Sequence, residues 1–121
     1  MKSLEMNIRQ DTANAAIMAV KLSGYLDAQT VHLFDKGMND SWRAELRKLV
    51  LLMEDVIYIS SAGIGSLMEW TKRIRSQQGD IVLVRPSEKV MKVLEMLGFT
   101  RILKVVNSEE EALTNKLADA S

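Results

Sequence analysis

The fold class is indicated most clearly by residues 49–84, which read LVLLMEDVIYISSAGIGSLMEWTKRIRSQQGDIVLV. The run Leu49–Met53 is continuously apolar, which is typical of a strand buried on both faces, and a polar pair separates it from a second short apolar run, Val56–Ile59. From Ser61 onward the apolar side chains recur with a period of about 3.6 residues, which predicts a helix. Ile81–Val84 is again a buried strand. The segment therefore predicts strands that alternate with a helix in an α/β sheet.

The sequence on either side extends this pattern. Asn7–Arg9 and Ile17–Leu22 are typical of strands, and the short polar connection between them permits only antiparallel pairing. Gly24 is expected to end the second strand. The other predicted elements are a helix through Val31, Phe34, Met38 and Trp42; a helix capped by Ser87, with Val90, Met91, Leu94 and Leu97 on its apolar face and Gly98 as its stop; a strand from Ile102 to Val106; and a helix capped by Ser108 through Ala112, Leu113 and Leu117.

The predicted order is β-β-α-β-α-β-α-β-α. It indicates an α/β fold with a mixed sheet, in which an N-terminal antiparallel hairpin precedes parallel strands and helices pack against the sheet. With 121 residues, 47% of them hydrophobic, we expect residues 1–121 to form a single domain.

Composition excludes several classes of function. The 16 basic and 16 acidic residues balance, which argues against a nucleic-acid-binding protein. There is no cysteine for a disulfide framework, and a single histidine does not build a metal site. The longest apolar run is far shorter than the roughly 20 residues of a membrane helix, so we expect no direct membrane insertion and a cytoplasmic location.

The turn before the strong helix is the main candidate site. Ser61 stands where a helix N-cap belongs, so its hydroxyl either caps the helix or serves as a modified or reactive group. The positive end of a helix accommodates an anion such as a phosphate. A dinucleotide site is disfavoured, because Met68 stands where the third glycine of the fingerprint belongs. A hydrolase triad of Ser61, His32 and Asp27 is disfavoured too, because no nucleophile-elbow pattern surrounds the serine.

The flank of the same helix is a candidate partner surface. At about 100° per residue, Trp70 lies beside the apolar stripe, where we expect it to be half exposed, although packing at the edge of the core is an alternative. Ser66, Glu69 and Arg73 are expected to point further outward. Tryptophan and arginine are the residue types that dominate interface hot spots.

Three motifs together resemble those of a known family. They are GYLDAQT at residues 24–30, EDVIYISSAGIG at 54–65 and LEMLGF at 94–99. The pattern is similar to that of single-domain STAS proteins, and more narrowly to that of bacterial anti-sigma-factor antagonists. The resemblance covers nearly the whole chain and implies the STAS fold.

The resemblance also implies a switch. In that family a serine kinase, which is also the anti-sigma factor, phosphorylates the serine that opens the helix after the third strand, and a metal-dependent serine phosphatase reverses the step. The matching residue is Ser61. The family's preceding aspartate is replaced by Ser60, which becomes a second acceptor candidate, and a frequent following serine is replaced by Ala62. The residues expected to frame the site are Asp27, Thr30, Ala62 and Gly63.

The expected function is therefore that of a protein-binding switch with no cofactor and no chemistry of its own. When Ser61 is unphosphorylated, the protein would bind the anti-sigma factor and release a sigma factor or a similar target. The alternative is a STAS subunit with a regulatory or structural role in a lipid or anion transporter. A small-ligand sensor is a third possibility, for which the sequence supplies no pocket.

Overall fold

A computed structural model describes residues 3–11 and 14–114, and within them a five-stranded sheet has the strand order β1-β2-β3-β4-β5. The β1–β2 pair is antiparallel and the other three pairs are parallel. The predicted element order and mixed sheet are therefore confirmed. The strands are β1 (Leu4–Gln10), β2 (Ile17–Leu26), β3 (Lys48–Ile59), β4 (Asp80–Val84) and β5 (Lys104–Val106); the helices are α1 (Val31–Ser41), α2 (Ser61–Ser76), α3 (Glu88–Met96) and α4 (Glu109–Thr114), with a 3-10 turn at Phe99–Arg101.

The central strand β3 is one continuous strand that includes both apolar runs and the polar pair between them. It pairs with β2 along almost its whole length but with β4 only from Lys48 to Leu52. Beyond that point Glu54 and Asp55 are exposed, and Asp55 forms an ion pair with Lys21 at 3.6 Å. Polar side chains did not end the strand because backbone hydrogen bonds to β2 hold it while the side chains reach solvent.

The two faces of the sheet carry separate apolar clusters. Helices α1, α2 and α3 contribute to the larger cluster, and α4 covers the smaller one through Ala112. The Lys48 ammonium group donates hydrogen bonds to the carbonyls of Ala112 (3.0 Å) and Leu113 (3.2 Å). Its burial there lowers the pKa of Lys48, with the charge of Lys104 as the smaller cause. The predicted Leu117 lies outside the described residues.

Local boundaries differ from expectation at three glycine or loop positions. Gly24 does not end β2, because it adopts a φ of +109° at a register shift and the strand continues to Leu26. The segment from Ile102 forms a strand only from Lys104 onward, after the 3-10 turn. Leu97 lies beyond the end of α3 and is 55% exposed, so it does not belong to the apolar face of that helix. Gly98 ends the helix as predicted, with a φ of +78°.

Candidate functional site

The candidate site lies where β2 and β3 end side by side. Leu26 pairs with Ile59 in the parallel ladder, and the amide of Ser60 donates to the carbonyl of Leu26 at 3.0 Å. The carboxyl ends of neighbouring parallel strands meet at one edge of a sheet. The loop 27–30 that follows β2 and the start of α2 that follows β3 are therefore neighbours.

The loop 27–30 is held by reciprocal hydrogen bonds. The Asp27 amide donates to the Thr30 hydroxyl oxygen at 3.0 Å, and the Thr30 amide donates to the Asp27 carboxylate at 3.2 Å. The Gln29 amide donates to the same carboxylate oxygen as the Thr30 amide, and the Thr30 hydroxyl donates to the Tyr25 carbonyl. Asp27 and Thr30 are both buried. Their side chains shape the backbone beside α2.

Gly63 fits α2 closely against this edge. A Cβ atom built at Gly63 would stand 2.4 Å from the carbonyl oxygen of Leu26 and 3.0 Å from side-chain atoms of Leu26 and Ile59. Real Cβ contacts of 2.4 Å do not occur, so the first turn of α2 can lie this close to the end of β2 only with glycine at position 63. Ala62 beside it is half-buried.

The helix N-cap is Ser60, which corrects the expectation that Ser61 caps α2. The Ser60 hydroxyl oxygen accepts a hydrogen bond from the Gly63 amide at 3.3 Å, and its carbonyl accepts one from Ile64 at 2.9 Å. Ser60 has extended dihedral angles because its amide continues the pairing with β2. Ser61 is consequently the first residue inside the helix, and it is exposed.

The charge distribution along α2 suits an anion at Ser61. The first turn of the helix contains no acidic side chain, whereas Arg73 and Arg75 lie in the last turn. The basic residues compensate the negative end of the helix dipole, and no carboxylate of the helix itself opposes its positive end. A phosphate on Ser61 would therefore meet a favourable field from α2.

Three of the four predicted partner-binding residues bond to α1, and two of them, Ser66 and Trp70, do so through Asp35. Trp70 is only 6% exposed, so half exposure is wrong and the alternative, packing at the edge of the core, is confirmed. Its indole Nε1 donates to Asp35 Oδ1 at 2.9 Å, and the Ser66 hydroxyl donates to the same oxygen atom. Ser66 therefore does not point outward. The reason in both cases is Asp35 on α1, a residue that the sequence analysis did not single out.

The contact between α1 and α2 continues with aromatic and cationic groups. Trp42 and Trp70 have ring centroids 5.0 Å apart, and the Arg73 guanidinium lies 5.0 Å from each centroid. Arg73 also donates to the Asn39 side chain at 3.2 Å. Asp35 and Asn39 of α1, with Trp42 directly after the helix, thus face residues 66, 70 and 73 of α2. Both sets have the spacing i, i+4, i+7. That shared spacing was visible in the sequence and is the signal that could have indicated the contact.

Glu69 remains on the solvent side as predicted, where Lys72 lies 3.6 Å from its carboxylate. At about 100° per residue, Ser61, Gly65, Glu69 and Lys72 fall within one narrow sector of α2. All four residues are exposed. We refer to these four residues as the outer stripe. It is the face of α2 that points away from both the sheet and α1.

A hydrolase triad finds no support in this geometry. The Asp27 carboxylate accepts from Gln29 and Thr30, and His32 is an exposed residue of α1. Within residues 3–11 and 14–114, no hydrogen bond joins Ser61, His32 and Asp27.

Comparison with known proteins identifies the family. The model of the STAS domain family matches residues 5–112. The chain belongs to the STAS domain family. A relative of this STAS protein from Thermotoga maritima, named as an anti-sigma factor antagonist, is 34% identical over 89 residues, which are 73% of this chain and 79% of the relative. The anti-sigma F factor antagonist of Paenibacillus polymyxa is 26% identical over 99 residues, which are 81% of this chain and 85% of the relative.

A solved structure has a similar fold. The crystal structure of a Thermotoga maritima protein that is named as an anti-sigma factor antagonist matches this STAS protein with a TM-score of 0.76 and 28% identity, over 89% of this chain and 91% of that one. No helix among the described residues is both long enough and apolar enough to cross a membrane.

The assignment of the cap to Ser60 predicts a difference between two adjacent serines. Ser60→Ala should lower the free energy of unfolding by about 1 kcal/mol, because the Gly63 amide loses its partner. Ser61→Ala should change it by less than about 0.5 kcal/mol, since an exposed hydroxyl is removed. Urea denaturation of both variants measures the difference. Equal losses, or a larger loss for Ser61→Ala, would contradict the assignment.

The burial of Trp70 predicts that this residue is structural. Trp70→Ala should destabilise the domain by about 3–5 kcal/mol, the usual cost of truncating a buried aromatic side chain. Glu69→Ala, one residue earlier on the exposed face, should change stability by less than about 0.5 kcal/mol and is the control. Thermal unfolding followed by circular dichroism distinguishes them. An unchanged melting temperature for Trp70→Ala would mean that the tryptophan does not hold α2 against α1.

Proposed function

We propose that this STAS protein is an anti-sigma factor antagonist whose binding is switched by phosphorylation of Ser61. One observation carries the proposal. Ser61 is exposed at the first residue of α2 and has no capping duty, in a chain whose relatives are named antagonists. A side chain in that position can gain a phosphate without loss of the hydrogen bond that starts the helix.

The proposed cycle has two states. In the unphosphorylated state the Ser61 turn and the outer stripe dock onto an anti-sigma factor, which then releases its sigma factor. The same anti-sigma factor acts as a serine kinase: the Ser61 hydroxyl oxygen bonds to the γ-phosphorus of ATP, the bond from that phosphorus to the bridging oxygen breaks, and ADP and the hydroxyl proton leave. A metal-dependent serine phosphatase restores the hydroxyl by hydrolysis, which consumes water and releases inorganic phosphate. The STAS protein supplies the acceptor and the binding surface, and its partners supply the catalysis.

The geometry favours Ser61 over Ser60 as the acceptor. Ser60 is half-buried, and its hydroxyl oxygen already accepts the Gly63 amide. A phosphate on Ser60 would have to displace or replace this cap beside the end of β2. Ser61 has neither constraint, because it is exposed and lies one residue further along the helix.

The effect of the phosphate is expected at the interface. A phosphoserine carries about −1.5 to −2 charges at neutral pH. Within the domain the positive end of α2 stabilises this charge. Against a partner the same group must lose its water, which costs several kcal/mol unless a matching cation lies opposite. Phosphorylation is thus expected to weaken binding to the partner without lowering the stability of the domain.

The transporter-subunit alternative has less support. The relatives matched by sequence are named as antagonists, which are regulatory binding proteins. We therefore favour a protein partner over a role within a transporter, and we assign the binding to the cytoplasm, where ATP is available to the kinase.

The first test of the proposal is a kinase assay. Each kinase-type anti-sigma factor of the source organism is purified and incubated with ATP and the STAS protein. The wild-type protein and Ser60→Ala should each gain one phosphate, and Ser61→Ala should gain none, as measured by intact-protein mass spectrometry. Full phosphorylation of Ser61→Ala would contradict the assignment and make Ser60 the acceptor.

The second test concerns the consequence of phosphorylation. Binding of the phosphorylated protein to the anti-sigma factor should be weaker by two or more orders of magnitude, roughly 3 kcal/mol. Its melting temperature should not fall, and amide chemical shifts should change only in residues 27–30 and 60–67. Ser61→Ala treated with the same kinase and ATP is the control. Shift changes spread over the whole sheet would show that the switch remodels the domain instead.

A further inference from the structure

Gly65 is an exposed glycine inside a long helix, and the fold itself does not require it. It lies one turn after Ser61 in the outer stripe of α2. Apart from its chain neighbours and the adjacent backbone of α2, a Cβ atom built at Gly65 would meet no atom of the described chain within 4 Å. Its φ is not in the left-handed region, so alanine fits the backbone as well. Glycine is the poorest helix former after proline, so Gly65 lowers the stability of α2 although the packing of the fold does not require a glycine there.

Gly63, two residues earlier, shows the contrast. There a Cβ atom would collide with the Leu26 carbonyl oxygen at 2.4 Å, so packing against the end of β2 requires glycine. The two glycines of one helix thus have opposite surroundings. Gly63 faces the fold and Gly65 faces solvent, in the same stripe as the proposed acceptor Ser61.

The absence of a side chain at Gly65 exposes the backbone of α2 at one point of its surface. Ala62 and Met68, three residues before and after Gly65, are half-buried and apolar, and their side chains flank the exposed backbone on either side. The other flank of the helix is occupied, because Ser66, Trp70 and Arg73 are bonded to α1. A partner that reaches Ser61 therefore meets α2 along Gly65.

We propose that the anti-sigma factor packs directly against the α2 backbone at Gly65, with an apolar side chain of the partner seated between Ala62 and Met68. This inference rests on the proposed function, and the occupant follows from the continuity of Gly65 with the Ser61 turn. A methyl group at position 65 would hold the partner away from the helix and from the Ser61 hydroxyl. Gly65 is thus a docking residue, and its presence lowers the stability of α2.

The proposal predicts that Gly65→Ala moves stability and binding in opposite directions. The melting temperature should rise by about 2–4 °C, because alanine favours the helix and clashes with nothing. The dissociation constant for the purified kinase-type anti-sigma factor should increase about tenfold or more. Ser76→Ala, at the far end of α2, is the matched control: it adds helix propensity outside the docking point and should leave binding unchanged.

The outcomes separate this inference from the proposed function. If Gly65→Ala binds as tightly as the wild type while Ser61→Asp does not bind, the inference is wrong and the switch at Ser61 stands. A lower melting temperature of Gly65→Ala would show that the fold needs the glycine, which also overturns the inference. If the wild-type protein binds none of the purified anti-sigma factors, the proposed function fails and this inference fails with it.

Discussion

The approach of α2 to the end of β2 is the constraint on which the site depends. The Leu26 carbonyl lies where two groups converge on it: the Ser60 amide, which donates to it, and the Cα of Gly63, which leaves no room for a side chain. The first contact ends the parallel pairing of β2 and β3, and the second seats the first turn of the helix on that end. Ser60 is thereby forced into the cap position, and Ser61 is forced to the exposed start of α2.

The remainder of α2 is divided among three environments. One face, with Ile64, Leu67 and Ile74, packs into the core. A second face bonds to α1 through Asp35, whose single carboxylate oxygen accepts from both Ser66 and Trp70. The outer stripe packs against neither the core nor α1, and its residues are exposed to a partner. A helix fixed on two faces cannot easily rotate or shift. A charge added at Ser61 is therefore expected to change the surface that α2 offers to a partner and not the position of the helix.

The order of elements could be predicted from sequence because each element carries its own local signal. The buried strands are continuous apolar runs, the helices have a 3.6-residue period, and Gly98 ends α3 with a positive φ. The same local reasoning failed where a distant partner decides the outcome. Whether Ser60 or Ser61 caps α2 depends on the last hydrogen bond to β2, and no window of sequence around the serines contains that bond. The burial of Trp70 likewise depends on Asp35 of α1 and on Trp42 directly after that helix.

These failures sharpen the functional argument. The sequence alone could not separate a capping serine from a modifiable one, since one residue was assigned both duties. The fold divides the duties between neighbours, so the cap persists when the acceptor is modified. The two glycines differ in the same way: the packing of α2 against β2 requires Gly63, whereas a Cβ atom at Gly65 would meet no described atom beyond the adjacent backbone of α2. In each pair, Ser60 with Ser61 and Gly63 with Gly65, the second residue is exposed on the outer stripe and makes no contact that the fold requires. The outer stripe can therefore gain a charge at Ser61, or have a poor helix former at Gly65, while the packing of the core remains the same.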